Sequence, residues 1–120
     1  MREENPIRQK SYALALRITC LCRRLVSDHR EYVLSKQLLR SGTSIGANVE
    51  EAQQAQSRRD FSSKCSIALK EAYESHYWMR LIRDSGYASE REAEPILLNI
   101  QEIIRLLMSI VKTINIRNRK

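Results

Sequence analysis

The run Ser57, Arg58, Arg59, Asp60 has the Ser-x-x-acid form that satisfies the first free N–H groups of a helix, and Phe61 opens an apolar pattern immediately after it. A long amphipathic segment ends just before this run. Two helices separated by almost no linker have to fold back on each other, so the pair is expected to be antiparallel and adjacent. In the segment before the turn, about residues 31–56, a rotation of about 100° per residue puts Leu34, Leu38, Ser41, Ile45, Val49 and Ala52 on one face. Gln37, Ser44, Asn48 and Glu51 occupy a flank about a quarter-turn away. Small residues fill the gaps, and each interior Gly, Gly42 and Gly46, costs roughly 1 kcal/mol of helix propensity relative to Ala. Close approach of another backbone is the expected compensation.

The remaining chain supplies three more helices. Asn5 followed by Pro6 is a capping side chain and an imino acid that is harmless in a first turn, so a helix is predicted over about 6–28, with Ile7, Leu14, Ile18, Leu21 and Leu25 as its stripe. The helix over about 58–85 carries Phe61, Cys65, Ala68, Leu69, Ala72, His76 and Met79 on its main face. Ile67, Trp78 and Leu81 lie on a second side with Glu71 and Glu74 between them, more apolar circumference than one bundle core covers. Gly86 suits a left-handed stop, and Ser89 with Glu92 forms a capping box for a helix over about 90–116, whose stripe is Ile96, Ile100, Ile103, Ile104, Leu107, Val111 and Ile114. Pro95 falls in its first turn. The expectation is an all-α, up-down-up-down antiparallel four-helix bundle forming a single domain over 1–120.

Composition narrows the partners. The 120 residues carry a formal net charge of +7, a positive field that draws nucleic acid, an anionic surface or an acidic protein. Cys20, Cys22 and Cys65 are odd in number and have no second Cys/His pair at zinc spacing, so they read as buried thiols of a reducing compartment. The polar start of the chain and the absence of an apolar run of about 20 residues give no leader or membrane span, so the expected location is the cytoplasm. No phosphate-binding Gly-rich loop, His-Glu-x-x-His or Glu-x-x-His pair is present, and no metal, cofactor, membrane or small-molecule substrate is expected. His76 reads as a hydrogen-bonded core residue.

Up-down topology gathers cations at both ends. Arg58, Arg59, Lys112, Arg117, Arg119 and Lys120 share one pole; Arg23, Arg24, Arg30, Arg80, Arg83 and Arg91 share the other. Arg58, Arg59, Lys112, Arg117, Arg119, Lys120, Arg23 and Arg24 are the candidate phosphate contacts. A second constellation runs along the antiparallel pair. Arg40, Ser44, Asn48 and Glu51 on one helix face Asp60, Lys64, Glu71 and Glu74 on the other, and with Ile67, Trp78 and Leu81 they form a candidate polar network or oligomer interface. No nucleophile with an adjacent base can be named, so a hydrolase would depend on Glu71 and Glu74 alone.

The segment from Leu39 to Ala52, LRSGTSIGANVEEA, followed by Asp60, Phe61, Lys64, Ile67, Ala68, Lys70, Glu71, Ala72, Tyr77 and Trp78, resembles the four-helix-bundle proteins encoded in intervening sequences of bacterial 23S rRNA. The likeness covers about forty central residues; the outer helices agree in pattern and length. Arg40, Ser41, Gly42, Ser44, Asn48, Glu51, Asp60, Phe61, Lys64, Glu71, Tyr77 and Trp78 match the pattern of that family, in which their role looks structural or interfacial. The resemblance implies a bacterial cytoplasmic protein, a ring-shaped homo-oligomer, a pentamer, and kinship in fold with the accessory variability protein of diversity-generating retroelements. It supplies no catalytic activity. The expected function is a non-enzymatic oligomer that binds RNA or a nucleoprotein partner with low sequence specificity, against the alternative of a protein scaffold or adaptor that never touches nucleic acid.

Overall fold

The computed structural model of the chain describes residues 5–118. Four helices, α1 (Pro6–His29), α2 (Val33–Gln53), α3 (Arg58–Asp84) and α4 (Glu90–Asn118), alternate in direction. Each packs against its two neighbours around a square, α1 on α2, α2 on α3, α3 on α4 and α4 on α1. The architecture is an all-α four-helix bundle, about 51 Å long and half as wide. Its axial core is aliphatic, with Leu14, Ile18, Leu25, Leu38, Ile45, Met79, Ile82, Ile100, Ile103 and Leu107 all fully buried. No helix among the described residues is long and apolar enough to cross a membrane.

The helix ends follow from local chemistry. Asn5 Oδ1 accepts from Arg8 N–H, and Ser57 Oγ accepts from Asp60 N–H at 3.0 Å. Ser89 and Glu92 close the capping box in both directions, Ser89 Oγ accepting from Glu92 N–H (3.1 Å) and Glu92 Oε1 from Ser89 N–H (3.0 Å). Gly86 takes φ +89 after α3. Arg30 does the same work at the end of α1 with φ 53, where its N–H and that of Glu31 reach back to Val26 and Leu25.

Two bounds of α2 differ from the sequence reading of about 31–56. Glu31 is not helical. Its carboxylate is buried and accepts from the N–H groups of Val33 (3.1 Å), Leu34 (2.9 Å) and Ser35 (2.7 Å), so the residue expected to open the helix caps it instead. At the other end α2 stops at Gln53, because Ser57 needs extended backbone, φ −154 and ψ 165, to cap α3 and the chain must leave the helix several residues earlier. α4 in turn continues to Asn118, beyond the expected bound near residue 116.

The small residues of α2 serve both neighbours. Towards α3, the hydroxyls of Ser41 and Ser75 meet at 2.9 Å inside the core; the Glu71 carbonyl lies within reach of Ser75 and the Leu38 carbonyl of Ser41, and the two hydroxyl protons are shared among these contacts. Towards α1 the two glycines act differently. A Cβ on Gly42 would lie 2.5 Å from Cδ1 of Ile18, so this glycine makes room for a core side chain and not for a backbone. A Cβ on Gly46 would meet the Ser11 carbonyl oxygen at 3.5 Å, an ordinary contact.

Two single substitutions therefore separate propensity from packing. Gly46→Ala is expected to raise stability by about 0.5–1 kcal/mol, through helix propensity alone. Gly42→Ala is expected to lower it by about 1–3 kcal/mol because overpacking against Ile18 outweighs the same gain, and adding Ile18→Val should recover part of that loss. Urea unfolding followed by circular dichroism measures both; equal effects at the two glycines would refute the assignment of the Gly42–Ile18 contact.

Candidate interaction surfaces

The antiparallel packing of α2 on α3 brings part of the predicted polar constellation together. Arg40 on α2 reaches Glu71 on α3 at 3.4 Å and forms a close ion pair with Glu74, while Gln37 Oε1 accepts from the same guanidinium. Trp78 Nε1–H donates to Glu74 Oε2 at 3.0 Å. Further along the seam Lys64 pairs with Glu51 at 2.8 Å, a hydrogen bond that holds the ammonium above its ordinary range. Ser44 and Asn48 do not join across the helices: Asn48 Nδ2–H donates to the Ser44 carbonyl of its own helix at 2.8 Å. Asp60 turns back to the Gln56 N–H at 3.4 Å.

The apolar members of this flank are partly exposed. Trp78 is half-buried against the core and stacks edge-on with Tyr77, whose ring centroid is 5.1 Å away. Leu81 is half-buried and Ile67 is 39% exposed. One guanidinium serves two carboxylates here, and Glu71 Oε2 and Glu74 Oε1 have no hydrogen-bond partner among the described residues.

A second apolar surface had no counterpart in the sequence reading. Between the end of α1 and the start of α2 runs a groove of about 430 Å³, lined by Cys22, Val26, Tyr32 and Leu39 and edged by Arg23 and Lys36. Burial pushes the Cys22 thiol up to about 12, and its Sγ–H donates to the Ser35 carbonyl, which makes it a packing group of the groove floor. Cys65 is buried and likewise raised by burial, while Cys20 is exposed, contrary to a uniform reading of the three as buried thiols. Val26 and Leu39 lie outside the main apolar stripes of their helices; a groove is formed by two helices jointly, so neither helix alone signals it.

The cations fall into two kinds. Arg58, Arg59, Lys112 and Arg117 are exposed at one pole, with no ion pair among the described residues; Arg119 and Lys120 lie outside those residues. At the other pole Arg23 is exposed, but Arg24 is paired with Glu92, and Arg83 with Asp84 at 2.8 Å. Arg24 and the Ser89 N–H hold the Glu92 carboxyl below its ordinary range, the backbone hydrogen bond being the larger effect. Arg8–Glu50 and Lys10–Glu102 tie α1 to α2 and to α4. No group of three or more His, Cys, Asp or Glu among the described residues is arranged to hold a metal ion.

His76 sits at the edge of the α3–α4 seam and is half-buried, not enclosed in the core. Arg80 Nε–H donates to its Nδ1 at 3.1 Å, and the Gln101 side-chain amide lies 3.2 Å from Nε2. Burial first, then Arg80 and Arg83, lower its pKa below the ordinary value. The unfolded chain therefore binds the proton more readily, and this histidine removes stability as pH falls below about 6.5 and removes none above it. His76→Gln should leave stability at pH 8 within about 1 kcal/mol of wild type and flatten the decline between about pH 6.5 and 5. Denaturant midpoints at several pH values test this; parallel curves for the two proteins would refute it.

Comparison with known proteins agrees with this architecture. Residues 3–109 match the family described as 23S rRNA-intervening sequence protein. A crystal structure of a protein of unknown function from the S23 ribosomal protein family of Bacteroides thetaiotaomicron VPI-5482 is similar, with a TM-score of 0.87 and 50% sequence identity over 88% of this chain and 98% of that one. Among curated proteins there is no match. With a family match across nearly the whole bundle and a close structural relative at half identity, this chain belongs to the 23S rRNA-intervening sequence protein family.

Proposed function

We propose that this protein is a non-enzymatic, self-associating bundle of the bacterial cytoplasm that binds RNA, alone or within a nucleoprotein, through phosphate contacts at its exposed basic pole. The observation that carries the reading is the set Arg58, Arg59, Lys112 and Arg117: exposed, on two adjacent helices at one end of the bundle, and without a carboxylate partner among the described residues. Arg8, Lys10, Arg40 and Lys64, by contrast, are each taken up in an ion pair. These four cations carry part of the +7 excess and have no ion pair among the described residues. The family's description, which carries 23S rRNA, and the relative's assignment to a ribosomal protein family support the same partner class.

Phosphate contacts position a nucleic acid without reading its bases, and Phe61, one turn from Arg58, is partly buried against the core. Low sequence specificity follows. Repeating the pole in an oligomer multiplies the number of phosphates engaged and raises avidity without new chemistry.

Filter binding of 23S rRNA fragments at low salt tests the proposal. Retention is expected at micromolar protein, falling steeply with salt. The double variant Arg58→Glu, Arg59→Glu should weaken it at least about 10-fold and reduce the log–log salt slope by roughly 1.5–2. No retention by the wild-type protein at micromolar concentration would overturn RNA binding, and full retention by the double variant would overturn the choice of pole.

A further inference from the structure

We infer that the groove between α3 and α4 takes unpaired RNA, its apolar floor covering base faces while cations along α4 hold the phosphates, so that the strand runs from the basic pole up the side of the bundle. The inference rests on the RNA binding proposed above and specifies which form of RNA is held and where.

The groove has a volume of about 830 Å³, and its floor is made by Leu69 of α3 with Met108, Val111 and Ile116 of α4. It follows α4 from Arg105 to Ile116, about three helical turns or about 16 Å. The floor is open to solvent, Met108 being 48% and Ile116 50% exposed. Tyr73 stands at the end away from the pole, 51% exposed, and its hydroxyl donates to Met108 Sδ at 3.3 Å. That contact anchors the phenol by its tip, so the ring is held in place yet half open, as a stacking platform has to be.

The edges of the groove are cationic. Arg105 and Lys112 are seven residues apart and so lie on the same side of α4. Both are exposed and have no ion pair among the described residues, and no carboxylate lines the groove. Lys112 also belongs to the pole formed with Arg58, Arg59 and Arg117, so the row of cations passes from the pole into the groove without a break. Asn115, beside Lys112, adds a side-chain amide that can donate to and accept from a base edge.

Only an unpaired strand meets all of these groups at once. The axes of packed helices lie about 8–10 Å apart, so the groove between them admits one strand and not a duplex. A duplex keeps its bases stacked on one another and would leave the floor and Tyr73 uncovered, whereas a single strand offers phosphates and base faces together. An acidic amphipathic helix of another protein carries the same two chemistries, but the continuity of the cation row with the pole favours RNA. Stacking on Tyr73 is tolerant of sequence, in keeping with the low specificity of the pole.

Fluorescence anisotropy at low salt with a short labelled oligouridylate, and with an RNA duplex of the same length, tests this. The wild-type protein should bind the single strand at least about 5-fold more tightly than the duplex, although the duplex has the higher charge density. Tyr73→Ala should weaken the single strand at least about 5-fold and leave the duplex unchanged, and Tyr73→Phe should keep wild-type affinity for both. Arg105→Gln should reduce the log–log salt slope for the single strand by about 0.7. Tyr73 and Arg105 are exposed, so helix content by circular dichroism should match wild type in all three variants. No binding of either RNA by the wild-type protein would overturn the RNA reading itself. Tighter binding of the duplex, or a Tyr73→Ala variant that loses affinity for both probes alike or for neither, would overturn the groove and leave the pole in place. Binding of an acidic amphipathic helical peptide that is lost in Tyr73→Ala, with the single strand held as before, would assign the groove to a protein partner and overturn the inference.

Discussion

Everything in this bundle depends on how closely α2 can approach its neighbours. The Ser41–Ser75 hydroxyl contact on one side and the space that Gly42 leaves for Ile18 on the other set the spacing of three helices at once. Interiors are packed to crystal-like density, so a methyl group added at Gly42 forces the Ile18 side chain to shift. The polar pair in the core costs little because both hydroxyls also donate to carbonyls one turn back or to each other, and no buried side-chain polar atom among the described residues is left without a partner.

That close seam also produces the flank on which the interaction surfaces rest. With α2 and α3 drawn together, Arg40 can span to Glu71 and Glu74, and Lys64 to Glu51, fixing which residues of the two helices lie opposite. These pairs are half-exposed, so they contribute little stability and act mainly on register. Trp78 is then held by its own N–H on Glu74 and is partly buried against the core. A large aromatic in such a position is pre-ordered for a contact, which lowers the entropy lost when a partner covers it.

The basic pole and the α1–α2 groove are spatially separate. The α2–α3 turn carries Arg58 and Arg59, whereas the groove lies at the opposite end, beside the α1–α2 turn.

Much of this was legible in the sequence because it depends on neighbours along the chain. The capping signals at Asn5, Ser57, Ser89 and Gly86 and the apolar spacing of Leu38, Ile45 and Val49 or of Ile100, Ile103 and Leu107 are properties of one helix at a time, and they determine four helices and their antiparallel order. The facing of Arg40 to Glu71 and Glu74 was accessible for the same reason, since two helices with a tight turn have few registers. What only the tertiary structure decided involves groups distant in sequence: that Gly42 yields to a side chain of α1, that Glu31 turns inward to cap α2, that Trp78 is half covered by its own chain, and that Val26 and Leu39 share one groove. Periodicity records which side of a helix is apolar, but a groove or a steric limit exists only once a second helix stands at a definite distance, and no single stretch of chain encodes that distance.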